Sequence, residues 1–239
     1  MAIANKIQNN GTCHLKFRAG AAGLHLFNRN TGINLLVEEI KLPPSKWSSA
    51  PRQVSIALTN TCDLACHHCY APKKPAVLDF NRLKGWLIDL DVNGCIGVGF
   101  GGGEPTLYPY FAELCAYTTK NTGLAVTMTT HGHHLSAQLI EKLAGNVHFI
   151  RVSMDGVRAT YESIRERSFD ALIQHIIALS SIAPFGINFV VNSKTIVILR
   201  QPLKLLLNLV APNFCCCLNN LPKNPKVLIR ILGTYYKNG

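Results

Sequence analysis

Between Gln53 and Asn192 short apolar runs alternate with helical patterns, and this alternation narrows the fold more than any other feature. The apolar runs are QVSIALT (53–59), CIGVGF (95–100), GLAVTMTT (123–130), HFIRVSM (148–154) and GINFVVN (186–192). The segments between them have helical spacing. In 79–94, Phe80, Leu83, Leu87 and Leu90 share one helical face, with Asp79 placed to cap the start and Gly94 to follow the end. Further helices are expected around 110–119, 136–145 and 168–182. Strands separated by crossover helices pair in parallel. The expected fold class is therefore α/β, a partial (β/α)6-type barrel over 51–195. Residues 1–50 precede it as a small β-hairpin element: GLHLF and INLLV flank NRNTG, with Gly32 supplying positive φ. The prolines of KLPPSKW then act as a linker.

In such barrels chemistry gathers at the C-terminal ends of the strands. Each unusual polar or glycine motif falls there: a cysteine cluster after the first strand, GGGEP (101–105) after the second, TTHG (129–132) after the third, SMDG (153–156) after the fourth, and Asn188 and Asn192 on the fifth.

The cysteine cluster, TNTCDLACHHCY, spaces Cys62, Cys66 and Cys69 as C-x3-C-x2-C. Thiolates favour zinc, copper(I) or iron–sulfur clusters. Zinc normally takes four protein ligands when structural, and His67 or His68 in the same tight loop turn back poorly onto one ion. A four-iron cluster held by three cysteines leaves one iron open.

The three-cysteine motif after a first barrel strand, with GGEP at 102–105 and SMDG beyond, resembles the radical S-adenosylmethionine (SAM) superfamily over about residues 53–195. ALTNTCDLACHHCYAP is most similar to its peptide-modifying and cofactor-maturing branch, which often carries a C-terminal SPASM extension; none is recognisable in this sequence. The resemblance implies a [4Fe-4S] cluster on Cys62, Cys66 and Cys69, which reduces bound SAM to methionine and a 5′-deoxyadenosyl radical that takes hydrogen from a substrate, with a peptide as one class. It further implies that Gly102 and Gly103 let backbone approach the methionine end of SAM and that Glu104 accepts from its amino group. Thr130, Ser153, Asp155 and Asn188 would bond ribose or carboxylate. Arg165 would meet the SAM carboxylate, with Arg167 its near competitor. His68 stands where the family often has an aromatic residue. A flavodoxin- or ferredoxin-like reductant is implied as partner. A reading of another class stays open: a non-catalytic iron–sulfur or zinc-binding protein, or an inactive fragment of such an enzyme.

Composition constrains what is left. No apolar segment with a small-residue cleavage site opens the chain and no long apolar run crosses it, so a cytoplasmic protein without a membrane span is expected. Nine cysteines in such a chain point to reduced thiols and metal ligation. Cys13, Cys95 and Cys115 lie on apolar stretches and are expected in the core. His131, His133 and His134 read as solvated or capping loop histidines.

The net charge of +11 does not imply nucleic acid. Residues 1–195 carry 18 basic and 13 acidic residues, whereas 196–239 carry six basic and no acidic ones. That tail, with Cys215 to Cys217 in succession, departs from the pattern before it. Read one nucleotide earlier, cysteine codons become Leu, Met or Val codons, and the stretch 198–221 admits a helix followed by an apolar strand. The tail is therefore expected to be out of frame, with its cysteines and charge carrying no function.

Overall fold

The computed structural model describes residues 15–191, residue 195 and the backbone strand 213–218. Asn192, Cys13 and the rest of the tail lie outside the described residues.

The N-terminal element is a three-stranded antiparallel sheet: β1 (Leu15–Gly20), β2 (Gly23–Asn28) and β3 (Asn34–Val37). The expected hairpin is β2–β3, with Gly32 at φ +74° and the Asn28 side chain accepting from the amides of Asn30 and Thr31. Sequence reading missed β1, although LKFRA alternates apolar and charged residues; the strand is only partly buried along its length. This sheet is tied to the helix ends beneath the barrel. Arg29 donates to the carbonyls of Thr119, Thr122 and Leu124, and Arg18 to that of Gly94. Lys16 pairs with Asp91. Cations at helix C-termini satisfy carbonyls that lack partners within the helix.

The second sheet is six-stranded and parallel in the order β4 (Gln53–Thr59), β5 (Gly97–Gly102), β6 (Ala125–Thr130), β7 (Phe149–Ser153), β8 (Phe185–Val191) and β9 (Asn213–Leu218). The crossovers carry α1 (Phe80–Val92), α2 (Phe111–Asn121), α3 (Ala137–Leu143), α4 (Arg158–Arg165) and α5 (Phe169–Ser180). The sixth strand comes from within the tail, and its register places Cys215 beside Asn188. Strand order equals chain order, with β4 and β9 as edges, so the expected partial barrel is observed.

The core lies between sheet and helices. Val98, Phe100, Val126, Met128, Ile150, Val152, Ile187 and Phe189 alternate along their strands and pack with Leu83, Leu87, Leu114, Leu143, Leu172 and Leu179, all buried. Asp79 caps α1 by accepting from the Arg82 amide, and Gly94 follows at φ +85°. Cys95 and Cys115 are fully buried, as expected. Among the described residues no helix is long and apolar enough to cross a membrane.

Candidate functional site

The loop after β4 carries the three cysteines. It leaves the sheet through the Thr59 hydroxyl, which accepts from the Thr61 amide, and is turned by the Cys69 amide donating to the Cys66 carbonyl. It then returns beside β4 in a bridge between Thr59 and Val77. Cys66 is buried, Cys62 half-buried and Cys69 exposed. Burial pushes the Cys62 thiol up, against an amide bond from Leu64.

Gly102 and Gly103 cross immediately beneath this loop. A Cβ on Gly102, at φ +127°, would stand 2.3 Å from the Thr59 carbonyl oxygen, and one on Gly103 2.2 Å from that of Thr61. The Gly103 and Glu104 amides donate to those same carbonyls at 2.7 and 2.8 Å. The glycines are thus required by the close approach of the chain to its own cysteine loop.

Glu104 is 1% exposed. Its Oε1 accepts from the Thr106 hydroxyl at 2.7 Å, the Thr130 hydroxyl at 2.6 Å and the Thr106 amide at 3.2 Å, and its Oε2 accepts from the His131 amide at 2.9 Å. Thr130 is therefore engaged with Glu104, and it also accepts from the Gly132 amide.

Asp155 is likewise buried and occupied. Its Oδ1 accepts from the Val190 amide, and Arg165 and His68 converge on its Oδ2, His68 at 3.1 Å. Burial alone would raise this carboxyl, but His68, Arg165 and the amide hold it below the usual carboxylate range. Arg165 also donates to Cys66 Sγ at 3.4 Å. The two arginines are thereby told apart: Arg165 turns inward onto Asp155 and Cys66, and Arg167 turns outward onto Asp63. Between them Glu166 adopts φ +53°, a left-handed turn that sends the two guanidinium groups in different directions.

His131 and His133 are not solvated, contrary to the sequence expectation. His131 is 4% exposed, and its Nδ1 accepts from the His133 amide at 3.1 Å. The ring proton of the neutral form therefore sits on Nε2, which donates to Asp63 Oδ1 at 2.9 Å. His133 Nε2 and the hydroxyl of Tyr161, itself fully buried, share a hydrogen bond at 2.7 Å. Only His134 is substantially exposed, and its Nε2 lies 3.0 Å from Asp63 Oδ2. Cys62 Sγ, an Asp63 oxygen and a His131 nitrogen lie within 4.8 Å of one another. In the structure the His131 and Asp63 members of this group are joined by the hydrogen bond between Nε2 and Oδ1.

The radical SAM superfamily model matches residues 56–191, more than half of the chain. The chain belongs to the radical SAM superfamily. Fe-coproporphyrin III synthase of Methanosarcina barkeri is 32% identical over 125 residues, 49% of this chain and 31% of that protein. Mycofactocin maturase MftC of Mycobacterium tuberculosis is 32% identical over 143 residues, 57% of this chain and 36% of that protein. The chain thus spans about a third of the length of these relatives. In fold it is similar to Streptococcus suis SuiB, solved with S-adenosylmethionine and also with its precursor peptide SuiA. The TM-score is 0.74 at 15% identity, over 94% of this chain and 68% of SuiB in the first complex.

The residues fit the radical SAM cofactors. Three thiols share one loop, and two buried polar atoms at this end of the barrel, Arg165 Nε and Asn188 Oδ1, have no partner among the described residues. Asn188 sits beside Ser153 in the strand register. Buried polar atoms left open beside a cofactor loop are what a polar ligand satisfies. Thr130 and Asp155 are hydrogen-bonded within the protein.

Proposed function

We propose that this chain is a radical SAM enzyme acting on a peptide. The observation that carries the catalytic part is the three-cysteine loop clamped from the barrel rim, with Arg165 on Cys66 and the unsatisfied Arg165 Nε and Asn188 Oδ1 nearby. When bound, a [4Fe-4S] cluster and SAM supply a 5′-deoxyadenosyl radical that abstracts hydrogen from the substrate. Cys62, Cys66 and Cys69 are the ligands of the cluster. Arg165, Asn188 and Ser153 are the polar groups offered to SAM. Glu104, whose Oε2 accepts from the His131 amide and lies 3.4 Å from His131 Nε2, is the carboxylate offered to the methionine ammonium.

The peptide class is supported by the maturase relative and by the fold shared with a peptide-modifying enzyme. A tetrapyrrole is the alternative, since a synthase of iron-coproporphyrin is equally similar. For the reductant, the outer face of the cysteine loop supports an acidic one-electron donor. Cys69 is exposed there, Tyr70 is 93% exposed, and Lys73 and Lys74 flank them without an acid between Asp63 and Asp79.

The test is anaerobic reconstitution. About four irons per chain, lost in Cys66→Ala, and 5′-deoxyadenosine on reduction with SAM are expected. Zinc in place of iron, or four irons retained by Cys66→Ala, would remove the reading. Hydrogen transfer to peptide or to tetrapyrrole, traced with deuterated substrates, decides the class.

A further inference from the structure

The cysteine loop is gripped from two sides. On the inner side, Arg165 and Asp155 hold Cys66 and His68. On the outer side, the side chain of Asp63, directly after Cys62, is a meeting point for two remote segments. From the loop after β6, His131 donates to Oδ1 and His134 lies 3.0 Å from Oδ2. From the turn between α4 and α5, Arg167 Nη2 reaches both Oδ2 at 3.0 Å and the Asp63 carbonyl at 3.2 Å. His131 is itself fixed at three points: its amide on Glu104, its Nδ1 on the His133 amide and its Nε2 on Asp63.

We propose that Asp63 is a positioning residue that latches the cysteine loop into its ligating shape before any cluster is bound. The inference rests on the proposed function only for what the loop ligates. Its physical basis is preorganisation. A free loop carrying three thiols samples many conformations, and fixing it at binding costs conformational entropy. Charge-assisted bonds from three donors on two remote segments impose that order in advance. The partners also offset the negative charge that Asp63 adds beside thiolates. Because Arg167 and His134 are 39% and 37% exposed in their side chains, the outer half of the latch can be removed without opening the core.

Backbone hydrogen exchange in the cluster-free chain tests this without cluster or SAM. In the double variant His134→Ala/Arg167→Ala, and separately in Asp63→Asn, which keeps the shape but turns one acceptor into a donor, the amides of residues 60–69 should exchange about tenfold faster. Amides of α2 should be unchanged, and Arg167→Lys should recover part of the protection. Exchange at 60–69 equal to that of the unaltered chain in both variants would overturn the latch. So would equal acceleration in α2, which would mark a loss of general stability. The proposed function fails separately: a chain that takes up no iron can still show the latch, and one that does can lack it.

Discussion

Glu104 shows how one buried side chain ties several loops of the barrel rim together. Its carboxylate ends four donors from three chain positions, all inside the protein. Glu104→Ala would strand those donors, and because each unmade buried hydrogen bond costs about 1–3 kcal/mol, a net loss of about 2–4 kcal/mol is expected after relaxation. Thermal melts of the cluster-free chain check this; an unchanged melting temperature would show that the donors find water. His133 makes a pH prediction. Burial, with His131, His175 and Arg167 nearby, pushes its pKa down to about 4, although Asp63 acts the other way. The folded chain therefore binds this proton later than the unfolded chain, whose histidine titrates near 6.5. Stability from this group is full above that value and falls as pH drops toward about 4. Asp63 and Asp155, both held below the usual carboxylate range, add losses only at lower pH, below the unfolded carboxylate value. His133→Gln, which preserves a hydrogen-bonding partner for Tyr161, should flatten the melting temperature between pH 6.5 and 4. An unchanged slope there would assign it to another group.

At the scale of elements, the glycine turn after β5 and the loop after β4 form one unit, stitched by the Gly103 and Glu104 amides onto Thr59 and Thr61. Gly103→Ala would place a methyl 2.2 Å from the Thr61 carbonyl oxygen and 2.7 Å from that of Asn60, both backbone atoms that cannot swing aside. The loop must then move. Iron uptake on reconstitution is expected to fall well below half, with little change in far-ultraviolet circular dichroism, because the β4 and β5 strands themselves are untouched. Full iron uptake would show that the loop tolerates displacement. α4 is the α-helix that sequence reading passed over: it is short, and its work lies in its last turn, where left-handed Glu166 splits Arg165 from Arg167.

At the scale of the whole molecule, two additions bracket the barrel core. The N-terminal sheet is fastened under it through Arg29, Arg18 and Lys16, and β9 extends the parallel sheet from within residues 196–239. That the backbone of NFCCCL takes the place of a sixth strand bears on the composition of the tail. Six basic residues and no acidic one in 44 positions contrast with the balanced charge before them. We expect the coding sequence, read one nucleotide earlier across codons 198–221, to be free of stops and to encode an acid-capped helix followed by an apolar strand. Sequencing the gene decides it, and stops in that reading would leave the tail as a genuine sequence.

The periodicities and the motifs were legible without a structure. Alternating strand and helix patterns imposed the parallel sheet, Asp79 and Gly94 bounded α1, and the three-cysteine spacing with GGEP identified the family. These signals are local: each depends on residues a few positions apart, where chain geometry fixes what can face what. The partners of the site were not legible. His131 meets Asp63 across 68 residues, and Glu104 meets Thr130 across 26. Only parallel pairing of β4, β5 and β6 brings their C-terminal loops together, so a histidine that reads as a solvated loop residue becomes a buried latch. Which arginine turns toward Cys66 was likewise set by the left-handed turn at Glu166, a backbone choice with no mark in composition or spacing.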